Sequence, residues 1–273
     1  MPTGNHPLDH PKGPPPAYSL DTPMHGRPTL LVFSRGASAE SARRRLLPGR
    51  FRHLEDEAHC ELLEAALDAG RDAGCALAVS SPRPFADRPA IEHLPQTGAD
   101  FGTRLESAVA LAFAREPEVL LVAAADVPGL TSRHIEQAVA RLREDPDRVV
   151  LGPSPDGGLY LIAMARPIPG LADAARWCRR ATRRELERSL RLAGREVVRL
   201  APLADLDRPA DLAGWLKRDA TQGPARLARL AGVLLRALAA LRPEAAPYLG
   251  RALAGVVSLC FGRAPPATLL YSR

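Results

Sequence analysis

Short apolar runs alternate with longer amphipathic stretches through the middle of this chain, and the alternation predicts strands and helices in turn. Thr29-Leu30-Leu31-Val32-Phe33 is almost wholly apolar, the pattern of a strand buried on both faces. A helical pattern follows over 55–73, then a strand over 75–79 and a short one over 91–94. Apolar residues at 105, 109 and 113 recur at helical spacing and place a helix over 103–115. Residues 119–124 read as a strand. Thr131 can cap a helix running to about 144, with Ile135, Val139 and Leu142 inward. Strands over 149–151 and 159–164, a helix over 182–193, a strand over 197–200 and a helix over 211–218 complete the pattern. Such alternation predicts an α/β fold, a mainly parallel sheet with helices on both faces. The tight turn at Gly157-Gly158 predicts one antiparallel strand, making the sheet mixed.

The flanks differ from this core. Residues 1–28 hold eight prolines and almost no apolar side chains, and read as a disordered leader. The main domain then spans 29–220. Residues 221–273 read as a C-terminal extension of two Ala/Leu-rich helices joined at Arg242-Pro243. This hairpin packs on the main domain or joins a second copy of the chain as a homodimer. An amphipathic helix on a membrane surface is the alternative.

Composition narrows the function classes. The chain has 273 residues and a net charge of +6, yet Lys12 and Lys217 are its only lysines. Its arginines are spread among acids and lack interleaved aromatics, so nucleic acid is not the expected partner. Arg236, Arg242 and Arg251 interrupt the longest apolar stretches, and no integral membrane segment is expected. Four scattered cysteines form neither a disulfide framework nor a zinc pattern, which points to the cytoplasm. A P-loop is absent, as is any Ser-His-Asp or Cys-His pattern. His53, His59, His93 and His134 lack metal-ligand spacing and read as surface residues.

Two strand ends carry single carboxylates. Leu120-Leu121-Val122-Ala123-Ala124-Ala125-Asp126-Val127-Pro128 runs an apolar strand into Asp126. An exposed acid there can hold Mg²⁺ or Mn²⁺ against a diphosphate, or cap the helix beyond Pro128. Gly152-Pro153-Ser154-Pro155-Asp156-Gly157-Gly158 holds Asp156 on a turn. There it can orient a sugar hydroxyl, act as a base or join a metal, with Gly157 and Gly158 leaving room for a ligand. A plain hairpin turn is the other reading. Arg35, Arg43 and Arg45 follow the first strand and suit a diphosphate, or, for the run at 43–45, begin a solvated helix. Asp100 and Arg104, candidate nucleotide contacts, lie on a Gly-containing loop that opens a helix: Thr103 or Asp100 can cap it, backbone amides at its start can meet an anion, or Asp100 and Arg104 can pair with each other. Asp207, in Asp205-Leu206-Asp207-Arg208-Pro209, could reach the metal region.

In this order the motifs resemble a bacterial family of glycosyltransferase-A-like (GT-A) proteins. Its members are described as arsenosugar-biosynthesis or radical-SAM-associated glycosyltransferases. More distantly they resemble nucleotidylyltransferases of the molybdopterin and deazaflavin pathways. The resemblance spans about 29–216 and rests on five segments: Arg43-Arg44-Arg45-Leu46, 96–105, 124–130, 152–162 and 205–212. Trp177 matches the family's Trp-Ser-Thr position. The resemblance implies a GT-A, Rossmann-like fold, a nucleotide-diphosphate sugar donor and a divalent metal, Mg²⁺ or Mn²⁺, on Asp126. A small-molecule acceptor completes the implied reaction. A nucleotidylyltransferase using a nucleoside triphosphate is the enzymatic alternative, and a non-catalytic binding or scaffold protein the other. Departures cluster in the phosphate loop: the family's Lys-Thr becomes Arg43-Arg44, and its Pro-x-Pro-Gly becomes Ala37-Ser38-Ala39-Glu40.

Overall fold

The computed structural model describes residues 24–35, 52–83 and 91–207. Arg43, Arg45, most of the leader, the predicted 211–218 helix and the C-terminal hairpin lie outside these residues. A seven-stranded mixed sheet forms the centre, in the order β3-β2-β1-β4-β6-β5-β7. Its strands are β1 (Pro28–Phe33), β2 (Ala76–Ser81), β3 (Glu92–Pro95), β4 (Val119–Ala124), β5 (Val149–Pro153), β6 (Leu159–Met164) and β7 (Val197–Arg199). The helices are α1 (Arg52–Asp72), α2 (Phe101–Phe113), α3 (Ser132–Glu144) and α4 (Thr182–Leu192). All neighbouring strands pair in parallel except β6, which runs antiparallel to both β4 and β5. The mixed sheet predicted from the Gly157-Gly158 turn is therefore observed.

Alternate residues of each strand feed opposite faces, and both faces are covered. Leu30, Val32, Leu121 and Ala123 pack with Leu63, Leu67, Ile135 and Val139 from α1 and α3. Leu31, Leu120, Val122 and Leu151 pack with Leu105, Val109, Leu186 and Leu190 from α2 and α4. Helix α1 stops at Gly74, whose φ of +72° favours glycine, and the Cys75 N–H then closes onto Gly70 O at 2.9 Å. That bond keeps Cys75 out of the strand predicted to include it. Burial pushes the Cys75 thiol up to about 11, so it serves as core rather than as a nucleophile.

The folded part begins earlier than proline content suggests. Residues 24–27 form a turn ahead of β1, and Met24 is completely buried against the α2 face. Gly26 N–H donates to Glu116 O at 2.8 Å and anchors the turn. The leader reading is corrected for residues 24–28, because one apolar side chain outweighs its polar neighbours.

Glu187 on α4 is buried and accepts hydrogen bonds from Arg199 (2.7 Å) and Arg183 (3.1 Å). Burial opposes its charged form, but these guanidiniums outweigh it and hold the carboxyl below its ordinary range. A depressed pKa contributes stability above the unfolded-state value, and that contribution is lost as pH falls through the folded-state value. Glu187→Gln is expected to lower stability at pH 7 by about 2 kcal/mol, less than a fully buried pair because the arginines are partly exposed. Urea unfolding across pH checks this: the difference from wild type shrinks below about pH 4.

Candidate active site

Every strand except β6 ends on one edge of the sheet, and β6 begins there. A cavity of about 630 Å³ opens at this edge. Ligands of parallel α/β sheets bind at such carboxyl ends. His59, Cys60 and Leu63 of α1 line one side, and Phe101, Leu105 and Trp177 the other. Phe33, Phe101 and Trp177 form a continuous aromatic wall, with ring centroids 5.4 Å and 5.6 Å apart. The Trp177 indole N–H donates to Ala172 O at 2.8 Å, which fixes the ring.

Asp126 lies on the cavity wall beyond β4 and is only 9% exposed. It is more buried than its sequence position suggests, because the chain after β7 docks on it through Leu206 N–H. It does not cap α3. Thr131 occupies that position, and its hydroxyl meets His134 Nδ1 at 2.8 Å.

Residues 200–207 bring distant acids to the same wall. Leu200 N–H donates to Leu151 O (2.9 Å), Leu203 N–H to Pro153 O (3.1 Å) and Leu206 N–H to Asp126 O (3.0 Å). This arm thus starts at the sheet edge, crosses the end of β5 and docks on β4. The Tyr160 hydroxyl donates to Ala201 O at 3.0 Å and pins the arm from below. Gly152 makes room for the Tyr160 ring, since a Cβ there would lie 2.4 Å from it. Asp205 and Asp207 consequently line the cavity with Asp126.

Asp156 is both turn and cavity wall. Gly157 N–H donates to Ser154 O and Ser154 N–H to Gly158 O, each at 3.1 Å, closing the β5–β6 hairpin. Asp156 Oδ1 accepts from Gly158 N–H at 2.8 Å, and the carboxylate is exposed toward solvent. Asp156 and Gly158 line the cavity; Gly157 instead packs its backbone against Arg180. Arg35 also lines the cavity.

Asp100 and Arg104 do not line it. Asp100 caps α2, accepting from Thr103 N–H at 2.8 Å, and that bond holds its carboxyl below the usual range. The helix end uses the charge that the sequence offered to a ligand. The surface reading of the histidines is corrected too. His59 is buried at the cavity, and burial lowers the pKa of half-buried His134. His93 Nε2–H donates to Ser81 O at 3.0 Å. Gln96, the first residue of the 96–105 segment, donates its amide to Ser34 O (2.8 Å) and Ser80 O (2.9 Å) and ties the end of β1 to β2, a role the sequence does not display.

The donor set suits a hard divalent cation. Mg²⁺ and Mn²⁺ take oxygen ligands, commonly one or two carboxylates, and leave positions for phosphate oxygens. Asp126 and Asp207 offer that chemistry on one wall. No closed cage of three or more His, Cys, Asp or Glu exists among the described residues.

Residues 51–179 match the model of a family described as "Uncharacterized protein conserved in bacteria (DUF2064)". No curated protein matches the chain. Among solved structures, it is similar to a provisionally assigned nucleotide-diphospho-sugar transferase from Desulfovibrio desulfuricans. The identity is 21% and the TM-score 0.65, over 75% of this chain and 94% of that one. That similarity shows the fold: a nucleotide-diphospho-sugar-transferase-like α/β sheet. A manganese complex of the protein Rv0371C from Mycobacterium tuberculosis is 18% identical, with TM-score 0.43, over 71% of this chain and 99% of that one. The 2-C-methyl-D-erythritol 4-phosphate cytidylyltransferase of Thermus thermophilus is 15% identical, with TM-score 0.39, over 69% and 96% of the two chains. Among the described residues no helix is long and apolar enough to cross a membrane.

Proposed function

We propose that this chain is a metal-dependent transferase that moves a sugar from a nucleotide-diphosphate donor to a small-molecule acceptor in the cytoplasm. The observation that carries it is the docking of the 200–207 arm on Asp126, which gathers strand-end carboxylates around one cavity. Asp126 and Asp207 are the residues to hold Mg²⁺ or Mn²⁺. When bound, the ion supplies positive charge against the diphosphate leaving group. Arg35 adds a guanidinium, and Arg43 and Arg45 complete the phosphate contacts in this reading. Asp156 holds a substrate hydroxyl through its second carboxylate oxygen. The acceptor oxygen bonds to the sugar's anomeric carbon and gives its proton to the Asp156 carboxylate, while the carbon–oxygen bond to the diphosphate breaks. The electron pair leaves with the nucleoside diphosphate.

The fold of the D. desulfuricans protein supports this reading, as do the five motif segments shared with the arsenosugar and radical-SAM-associated glycosyltransferases. In the same reading the transferase domain runs to residue 220, and the 221–273 hairpin joins two copies of the chain.

Product analysis tests it. Incubation with nucleotide sugars and Mn²⁺ is expected to release nucleoside diphosphate. Pyrophosphate release from a nucleoside triphosphate would instead make the chain a nucleotidylyltransferase. No metal-dependent nucleotide binding at all would leave a scaffold role. Asp156→Asn is expected to lower kcat about 100-fold with little change in donor affinity, measured by steady-state kinetics.

A further inference from the structure

Arginine supplies most of this chain's positive charge, and its pairing is uneven. Arg143 lies on Glu118, Arg148 on Glu196, Arg166 on Asp147, Arg176 on Glu185 and Arg199 on Glu187. Between the last two, Arg179 and Arg180 are exposed, and no described carboxylate pairs with them. Neighbouring guanidiniums without counter-charges repel one another, and a bound anion relieves that repulsion.

Their backbone is held firmly. Thr182 Oγ1 donates to Arg176 O (2.9 Å) and accepts from Arg179 N–H (3.0 Å). Cys178 sits at φ +59°, a conformation that costs a non-glycine residue energy. The segment is also locked to the Asp156 turn. Arg183 N–H donates to Gly157 O at 3.1 Å, and Arg180 O packs directly on Gly157. Trp177, Cys178 and Thr182, which bracket the arginines, line the cavity. The backbone carrying the unpaired cations therefore runs beside the Asp156 turn, on the α4 side, while the exposed side chains of Arg179 and Arg180 are not part of the cavity lining itself. Asp126 and Arg35, assigned above to the donor diphosphate, follow β4 and β1.

We propose that Arg179 and Arg180 form a subsite for a phosphate monoester on the acceptor, so that the acceptor is a phosphorylated small molecule whose hydroxyl end reaches Asp156. This rests on the transferase reading above and names its acceptor class. A phosphate monoester carries nearly two negative charges at pH 7 and three acceptor oxygens, matching two forked guanidiniums better than one carboxylate does.

Calorimetry on the full chain with Mg²⁺ tests the subsite, using glycerol 3-phosphate, glycerate and glycerol as probes with and without nucleoside diphosphate. Wild type is expected to bind glycerol 3-phosphate at least about tenfold more tightly than the double variant Arg179→Ala/Arg180→Ala. Glycerate and glycerol are expected to bind more weakly than the phosphate in wild type. Arg188→Ala, exposed and further along α4, should match wild type, and nucleoside diphosphate affinity should stay within about twofold in every variant. Equal glycerol 3-phosphate affinity in wild type and the double variant would overturn the proposal. So would displacement of nucleoside diphosphate by glycerol 3-phosphate, which would assign the arginines to the donor. If no nucleoside diphosphate binds, the transferase reading fails, while the comparison between wild type and double variant still decides the subsite.

Discussion

Asp126→Asn is expected to cut metal-dependent release of nucleoside diphosphate from a nucleotide sugar by about 1,000-fold or more, roughly 4 kcal/mol of transition-state stabilisation. Asparagine nearly preserves the shape of aspartate but removes its charge. Asp126 is 9% exposed and its backbone carbonyl holds the arm through Leu206, a bond the substitution leaves intact. Stability should therefore change little while turnover collapses, and the two effects can be read separately by thermal melting and product release. Asp207→Asn should have a smaller effect in the same direction, because its carboxylate sits on the arm rather than at the strand end. Turnover of Asp126→Asn within a few fold of wild type, at any Mn²⁺ concentration, would remove Asp126 from the metal role.

Gly157→Ala is expected to be the most damaging small substitution in the Asp156 hairpin. Gly157 sits at φ +97°, and a Cβ there would lie 2.0 Å from Arg180 O. The left-handed backbone alone costs about 1–2 kcal/mol for alanine. The collision adds an overpacking cost of similar or larger size, since it meets backbone that cannot rotate away. A total of about 3 kcal/mol or more lowers Tm by roughly 6–12 °C in a domain of this size. Relief of the clash would also part the turn from the 177–183 segment and loosen the cavity wall, so turnover should fall too. Gly170→Ala is the control: its φ is +67°, but nothing lies within 4 Å of the added Cβ, so only the strain remains. Equal Tm losses in the two variants would show that the contact with Arg180 does not matter.

Much of the sheet was legible because its strands are buried on both faces. Leu30-Leu31-Val32 and Leu120-Leu121-Val122 stand out as continuous apolar runs, which few other local structures require. Thr131 was legible as a cap because cap chemistry is local. The site was harder to read wherever its geometry depends on contacts between distant residues. Nothing periodic marks residues 200–207; only hydrogen bonds to Leu151, Pro153 and Asp126 bring Asp207 beside β4. Asp100 offered two chemistries in sequence, a ligand contact or a helix cap, and the cap is what forms. His59 looked like a surface residue because a lone histidine on a helix carries no sign of its burial. Arg179 and Arg180 drew no notice in a chain rich in arginine. They are adjacent and lack carboxylate partners while the neighbouring Arg176 and Arg183 have them, and pairing is invisible in sequence.

In the proposed function the cavity binds a nucleoside diphosphate through a divalent cation on Asp126. Calorimetric titration of nucleoside diphosphates into the full chain, with Mn²⁺ and with chelator, tests it directly. Binding of at least one nucleoside diphosphate is expected with Mn²⁺, none with chelator, and the Mn²⁺-dependent binding is expected to be lost in Asp126→Asn. Binding that ignores the metal, or that survives unchanged in Asp126→Asn, would contradict it.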